Sequence, residues 1–558
     1  MAQTNQAQTA SEFIAKPVVW SVAGNDSGGG AGLSADARAA AGFGVHLCPV
    51  VAAVTAQNSV GVTHVEPVAP ELLDAQLAAL AADMPPAAIK TGLLASTANI
   101  AVLARWVDRL RAQRPDQPVA LVVDPVLGAS TGAAFADAAT LAAYRDLLLP
   151  RATLVTPNQT EARRLVGEGE GEDALTVPDL AERLQGLGAQ AVALTGGDDD
   201  ADTPGWALDW ITTPQASGWL ALPRVATRHT HGTGCTFASS AAAALAQGFV
   251  TADALVLAKM ATTQALRLGY AAGQGAGPVA AQAGFAADAT LLPLMSWGDE
   301  ADKNSQFDSC LRHKDRHQNP IHSSDIGLYA IVDSAECVAQ VVAAGVRTVQ
   351  LRIKTPEAPD TPDAAWHTAL RRAITEALAA CRAAGATLVV NDHWRLAVEL
   401  DESSLLAVHL GQEDLLALGE AGRAELAASG LRLGISSHSL WELCRARSLQ
   451  PWYVACGPVW PTLTKAMPWV PQGLDNLAWW VHMAGVPVVA IGGILDAGQA
   501  TQAAQSGATG VCVVRGLGDD PAATVPGWQA AIAQGQQGAQ GAARLPVPLW
   551  PHPSLRKS

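Results

Sequence analysis

VVWSVAGNDSGGGAGLSAD, residues 18–36, passes from an apolar run through a glycine-rich turn into an alanine-bearing helical stretch. It reads as strand, turn and helix. Glycines in such a turn let backbone N–H groups approach a ligand closely, and the helix start adds its positive end. A dinucleotide site is one candidate, since Gly30-x-Gly32-x-x-Ala35 satisfies a relaxed GxGxxA pattern. No acidic residue follows about twenty positions later to hold a ribose, which argues against it. A GxxxxGK(S/T) phosphate loop does not occur.

Working outward, apolar runs alternate with Ala/Leu-rich helical stretches up to about residue 283. The strand candidates are VVWSVAG, LCPVVAAVT, AAIKTG, LVVDPV, LVTPN and AVALTG. Continuous apolar strands alternating with helices predict a mostly parallel sheet covered on both faces, an α/β domain. Ligands in such sheets bind beyond the carboxyl ends of the strands. Asn25, Asp26, Thr91, Gly92, Asp124 and Asn158 all fall there.

The chain has 558 residues, too many for one core, so two large domains are expected. A formal net charge of -15 disfavours nucleic acid and anionic membrane as partners, so any phosphate site must be local. The eight cysteines contain no CxxC pair, which argues against zinc and a disulfide framework and fits a reducing compartment. The opening MAQTNQAQTA lacks a signal-peptide pattern, and no segment approaches the roughly 18 apolar residues of a membrane span. The expected location is the cytoplasm.

A second glycine cluster, His231-Gly232-Thr233-Gly234-Cys235, precedes an Ala-rich helix running to about Ala246. Unobstructed N–H groups at Gly232 and Gly234, with the helix start, make an anion hole for a phosphoryl group in transfer. Cys235 sits where a thiolate is favoured and a general base can stand. A small buried cysteine in a tight turn is the bland alternative. In TPNQTEA, Asn158 and Glu161 suit magnesium and its waters, although the same spacing also makes an ordinary helix start.

Between residues 299 and 325 the chain turns polar and aperiodic and reads as a linker, its irregular His and Cys spacing arguing against a metal tract. Eight further strand-like runs follow, each with a helix-like partner: GLYAIVD, TVQLRI, TLVVND, AVHLG, RLGISS, WYVACG, PVVAIGG and GVCVV. That arithmetic predicts a small TIM barrel, with chemistry at the carboxyl ends of its strands. Asp333, Arg352, Lys354, Asn391, Asp392, Ser436 and Gly493 fall at or just past those ends. Gln350, Arg352 and Lys354 are spaced to share one strand face, which suits a diphosphate. Asp392 and Asp414 close the next two strands as a magnesium clamp, with Glu413 as an alternative ligand. Thr462, Thr464 and Lys465 form a basic, hydroxyl-rich loop, and Gly492 and Gly493 are expected to open a helix that binds an anion. The Pro-rich end reads as an irregular tail. The expected domains are an extension (1–17), a first domain (18–298), a linker (299–325), a barrel (326–540) and a tail (541–558).

In the first half, AGNDSGGGAGLSAD, VTAQNSVGV, IKTGLL, VVDPV, TPNQTEA and THGTGCTF occur in order between about Val18 and Gly277. Together they resemble the hydroxymethylpyrimidine and phosphomethylpyrimidine kinases of the ribokinase superfamily. The resemblance implies a three-layer αβα domain with ATP and magnesium as reactants. It places the pyrimidine against Gly24, Asp36 and Gln57, makes Cys235 the base, and sets Gly232 and Gly234 in the anion hole. Asp124 and Glu161 are then near the metal, and Asn158 and Lys259 on the nucleotide side. A surface-lying Lys259 is the alternative. Many relatives carry Lys followed by Gly-Gly-His where this chain has Thr195-Gly196-Gly197-Asp198.

Residues 327 to about 518 resemble thiamine phosphate synthase. By that resemblance, magnesium lies on Asp392 and Asp414. Gln350, Arg352, Lys354, Asn391, Ser436 and Lys465 surround a pyrimidine diphosphate, and Thr462, Thr464 and Gly493 hold a thiazole phosphate. Relatives usually show Ser near the eighth strand end, where this chain has Val513-Val514-Arg515; Arg515 is expected to bind the thiazole phosphate, an outward pairing with Asp519 or Asp520 being the alternative. The first half would make what the second consumes. Two other readings stay open: one half as a binding or regulatory module, or a different small-molecule kinase joined to a phosphate-binding barrel. The partners implied are small molecules, with a homodimer through the kinase domain a further possibility. The linker implies tethered, independent domains.

Overall fold

The computed structural model describes residues 15–128, 135–167, 175–196, 205–300, 326–356, 362–400, 406–462, 468–541 and 544–555. The first half builds one sheet from β1 (Val18–Asp26), β2 (His46–Gln57), β3 (Val62–Pro67), β4 (Ala88–Thr91), β5 (Ala120–Val123), β6 (Leu154–Val155), β7 (Val192–Thr195), β8 (Trp206–Thr212), β9 (Ser217–Pro223) and β10 (Leu294–Met295). The order is β10-β9-β8-β7-β6-β5-β4-β1-β2-β3. Pairing from β2 to β7 is parallel, as the continuous apolar runs predict. β3 and the β8–β10 group add antiparallel flanks that were not among the strand candidates. Apolar side chains on both faces of the central strands are buried, so helices cover the sheet on each side.

The second half is a closed parallel barrel of eight strands. They are β11 (Gly327–Val332), β12 (Thr348–Leu351), β13 (Thr387–Asn391), β14 (Leu406–Leu410), β15 (Arg432–Ser437), β16 (Tyr453–Cys456), β17 (Val488–Ala490) and β18 (Gly510–Val513). Each matches one of the eight predicted runs. The expected (β/α)8 architecture is therefore present.

The two halves are not merely tethered, which corrects the expectation of independent domains. One apolar cluster continues from the kinase-like half into the outer layer of the barrel. Asp253, on the helix Thr251–Arg267, accepts the backbone N–H of Trp441 at 3.0 Å. That N–H opens the barrel-side helix Leu440–Ser448. From the same helix, Arg445 donates to Ser217 O and Arg447 to the carbonyls of Leu292 and Pro293. Trp479 Nε1 donates to Ala286 O at 2.7 Å. Asp299 and Glu300, read as the start of the linker, pair with Arg423 of the barrel side.

The tail is irregular, as expected, but docked. Trp550 stands edge-on to Phe43, Phe249 and Phe285 of the first half, with centroids 5.0, 6.3 and 5.3 Å away. Two residues on, His552 exchanges backbone bonds with the Asn476 side chain and meets Gln472 O through Nε2 at 2.8 Å. Trp550 packs on the first half while the backbone and ring of His552 bond to the barrel side, so one short segment reaches both halves.

Candidate active sites

The glycine turn after β1 is organised by Asp26. Its carboxylate accepts the N–H groups of Gly28, Gly30 and Ala31 at 2.8–3.0 Å and meets His231 Nε2 at 2.9 Å. Burial opposes ionisation of Asp26, but those bonds outweigh it and hold the acid at about 2. Gln57 Nε2 stands 3.3 Å from His231 Nε2. A cavity of about 360 Å³ opens here, lined by Gly28, Gly30, Asn58, His231 and Gly273 among others. Gly24 lies at the bulge of β1 just behind this turn. Sequence reading placed Asp26 at the ligand end of its strand without giving it a role, and gave His231 none. Both sit inside quoted motifs, which was the available signal.

Gly232, in the left-handed region at φ 87°, begins the helix Thr233–Ala246. A Cβ there would strike Gly30 O and crowd Ala35, so glycine is required by the close approach of the two glycine turns. Gly234 is exposed. Cys235 is half-buried beside a fully buried cation, Lys90. Burial pushes its thiol up to about 12, with Lys90 pulling the other way, which argues against a preformed thiolate in the free protein. Lys90 lies 3.0 Å from Asp36 and 3.4 Å from Asp124. Burial disfavours its charge, but the two carboxylates more than compensate and hold its pKa above the ordinary lysine value.

Asp36 is placed behind the cleft rather than in it. It is fully buried, and its oxygens serve Lys90, Ser21 and Ser239 at 2.6–3.2 Å. Its direct contact with a pyrimidine is therefore corrected to a role in holding Lys90. Asp124 Oδ2 is buried without a hydrogen bond among the described residues, its partner being the Lys90 ammonium at 3.4 Å; burial raises the Asp124 pKa and Lys90 opposes that rise. Asn158 and Glu161 form a capping box at the helix Gln159–Val166, the ordinary helix start. Glu161 also accepts from Leu127 N at 3.4 Å. Lys259 is neither at the surface nor open to a nucleotide. It is 5% exposed and donates to Asp209 Oδ2 at 2.7 Å, while Asp209 Oδ1 accepts Gly196 N. Gly197 and Asp198 lie outside the described residues.

In the barrel, β12 ends at Leu351, so Arg352 and Lys354 stand exposed beyond the strand and only Gln350 lies within it. This corrects the shared strand face. Asn391 closes β13, and Asp392 follows with φ 66°. Burial raises the Asp392 pKa, and the like charge of Asp414 raises it further. Asp414 is exposed and accepts Gly411 N at 3.0 Å. Glu413 is exposed beside it.

Five side chains cross the barrel interior in a hydrogen-bonded row. Gln350 Nε2 donates to Tyr329 Oη at 2.9 Å, Tyr329 Oη is 2.7 Å from Tyr453 Oη, and that hydroxyl is 2.9 Å from His409 Nδ1. His409 Nε2 lies 2.8 Å from Ser436 Oγ. Burial lowers the His409 pKa to about 4, with Arg352 adding to the effect. Sequence reading found the two ends of this row, Gln350 and Ser436, and missed the three residues between.

Gly492 and Gly493 do not open a helix, which starts at Ala497 with Asp496 as its cap. Both have positive φ, and a Cβ would lie 2.7 Å from Pro458 Cα or 2.6 Å from Trp460 Cβ. Close backbone packing therefore demands these glycines. Thr462 is half-buried. Thr464 and Lys465 lie outside the described residues. Arg515 is exposed and begins the turn after β18, and Asp520 caps the following helix through Ala523 N.

Residues 26–280 match the family described as phosphomethylpyrimidine kinase, and residues 328–517 match thiamine monophosphate synthase. The chain is 33% identical to a probable thiamine biosynthetic bifunctional enzyme, chloroplastic, of Oryza sativa subsp. japonica, over 90% of this chain and 86% of that one. A hydroxymethylpyrimidine/phosphomethylpyrimidine kinase of Synechococcus elongatus is 42% identical over 48% of this chain and 97% of its own length. A thiamine-phosphate synthase of Rhizobium etli is 46% identical over 37% of this chain and 94% of its own length. No helix among the described residues is long and apolar enough to cross a membrane. With both halves matched in one chain, and the pairing shared over 90% of it with the Oryza sativa protein, this chain belongs to the family of bifunctional thiamine biosynthetic enzymes, a kinase joined to a thiamine phosphate synthase.

Proposed function

We propose that the first half uses ATP to phosphorylate 4-amino-5-hydroxymethyl-2-methylpyrimidine to its mono- and diphosphate. The second half then joins the diphosphate to thiazole phosphate, giving thiamine phosphate and pyrophosphate. The observation that carries the kinase reading is the Lys90 cluster beside Cys235 at the start of a glycine-opened helix. The pyrimidine would lie near Gly24 and Gln57, in the cavity beside His231. Cys235 would take the hydroxyl proton, and the N–H groups of Gly232 and Gly234 would stabilise the phosphoryl group in flight. Lys259 would act at a distance, through Asp209, on the Gly196 turn.

Magnesium fits both halves, where it would offset phosphate charge. Asp124, whose buried Oδ2 makes no hydrogen bond among the described residues and faces Lys90 at 3.4 Å, and Glu161 through water would hold it in the kinase. Asp392 and Asp414 would hold it in the synthase, where their mutual repulsion calls for a cation. In the synthase, Arg352, Lys354, Asn391, Ser436 and Lys465 would neutralise the departing pyrophosphate. Thr462, Thr464, Gly493 and Arg515 would hold the thiazole phosphate, so that its ring nitrogen meets the pyrimidine carbon in line. Incubating the chain with hydroxymethylpyrimidine, thiazole phosphate, ATP and magnesium should yield thiamine phosphate. Formation of the pyrimidine diphosphate with no thiamine phosphate would defeat the synthase half of the proposal, and no phosphorylation would defeat the kinase half.

A further inference from the structure

The row Gln350–Tyr329–Tyr453–His409–Ser436 has a direction that proton counting determines. An amide nitrogen only donates, so Tyr329 accepts from Gln350. Tyr329 has a single proton, and its other partner in the row is Tyr453, so it donates there. Tyr453 has then accepted, and its own proton goes to His409 Nδ1. Nδ1 must be bare, which puts the imidazole proton on Nε2 and makes Nε2 donate to Ser436 Oγ. The hydroxyl proton of Ser436 is left free to point away from the row. Tyr329, Tyr453 and Gln350 are 2% exposed or less, and Ser436 is half-buried, so the row runs from a dry interior to the mouth of the barrel.

We propose that this row is a positioning relay for the synthase: it locks His409 as the Nε2–H tautomer and hands Ser436 an outward hydroxyl proton for an anionic diphosphate. The proposal rests on the reading of Ser436 as a diphosphate contact. The reverse polarity would need Gln350 to accept through Oε1. It would put the proton on His409 Nδ1, turn the Ser436 proton inward and present only lone pairs at the mouth, where they would repel a phosphate oxygen. Fixed, fully satisfied polar rows also resist reorganisation when charge develops nearby. The row has no tolerance for a larger neighbour. A Cβ at Gly434 would overlap the Tyr453 ring and hydroxyl.

The direct test is the tautomer. Full-length protein labelled with 15N-histidine, without substrate, should show His409 as neutral with its proton on Nε2 in long-range 1H–15N spectra. The signal is identified by its loss in His409→Gln. A proton on Nδ1, or on both nitrogens at neutral pH, overturns the proposal. Because no substrate is present, a wrong polarity is distinguishable from a wrong reaction. Kinetics give a second, independent reading. Tyr453→Phe should raise the synthase KM for the pyrimidine diphosphate by about fivefold or more, the scale of one misdirected hydrogen bond. In a Ser436→Ala background the same change should cost nothing further. Additive losses in the double variant would overturn the relay, and kinase turnover should stay unchanged in all variants.

Discussion

Cys235 stands beside a buried ammonium yet keeps its proton, because the cost of an ionised sulfur away from water exceeds the pull of Lys90. Lys90 is already claimed by Asp36 and Asp124, so little of its charge is left for the thiol. If the thiolate is the base, the kinase kcat/KM should climb with pH through the neutral range instead of levelling near pH 7. Cys235→Ala should lower both phosphorylations by about a hundredfold or more, while synthase activity on supplied diphosphate persists. A flat pH profile together with near-normal turnover of the variant would remove Cys235 from the mechanism. Lys259 makes a different prediction. Truncating it to Ala strands Asp209 in a dry site, at a cost of about 3–5 kcal/mol in denaturant unfolding. Removing Asp209 as well should recover part of that loss. At this scale the sequence exposed residue types but not partnerships. Lys90 and Asp36 are 54 positions apart and His231 and Asp26 are 205 apart, so only the folded sheet shows them to be pairs.

Regular elements were more legible. All eight barrel strands could be read as short apolar runs, because strands buried on both faces must be apolar throughout. The antiparallel flanks of the other sheet escaped for the same reason. β3 is largely exposed and lacks such a run, and β8 and β9 carry tryptophans and polar residues between apolar ones. The Gly492–Gly493 pair was expected to open a helix, whereas close backbone packing sets both in a turn ahead of the helix that begins at Ala497. The tail shows the opposite error: its prolines forbid regular structure, but they do not forbid docking. Trp550→Ala should therefore destabilise the chain, by somewhat less than the roughly 3–5 kcal/mol of a fully buried aromatic, because Trp550 stays partly exposed. Trp550→Phe should retain most of the stability. No change in the denaturation midpoint of the Ala variant would mean that the aromatic contacts carry no weight.

For the whole molecule, the shared apolar cluster implies that a chain cut at residue 310 stays together. The two pieces should elute as one species on gel filtration, each retaining its activity; separation into two peaks would show the seam to be weak. The seam should also sense pH through Asp253. Burial raises this acid to about 7, outweighing the N–H groups of Trp441 and Leu440 that favour its charge. An acid whose folded pKa is raised holds its proton longer when folded than when unfolded. Its contribution to stability is thus full below about pH 4 and is lost as pH rises through 7. The loss is roughly 4 kcal/mol at most. Asp253→Asn should flatten the fall in melting temperature between pH 4 and 7; an unchanged slope would place the sensitivity elsewhere.

Because Trp550 and His552 follow both halves in the chain, the first half is made and can fold long before its aromatic partner exists. Phe43, Phe249 and Phe285 then await a side chain translated 507, 301 and 265 residues after them. The aromatic contact at the junction can form only after both of the halves it joins have been made. A chain terminated early would carry an open aromatic patch, the kind of exposed apolar surface by which quality-control factors recognise an unfinished protein.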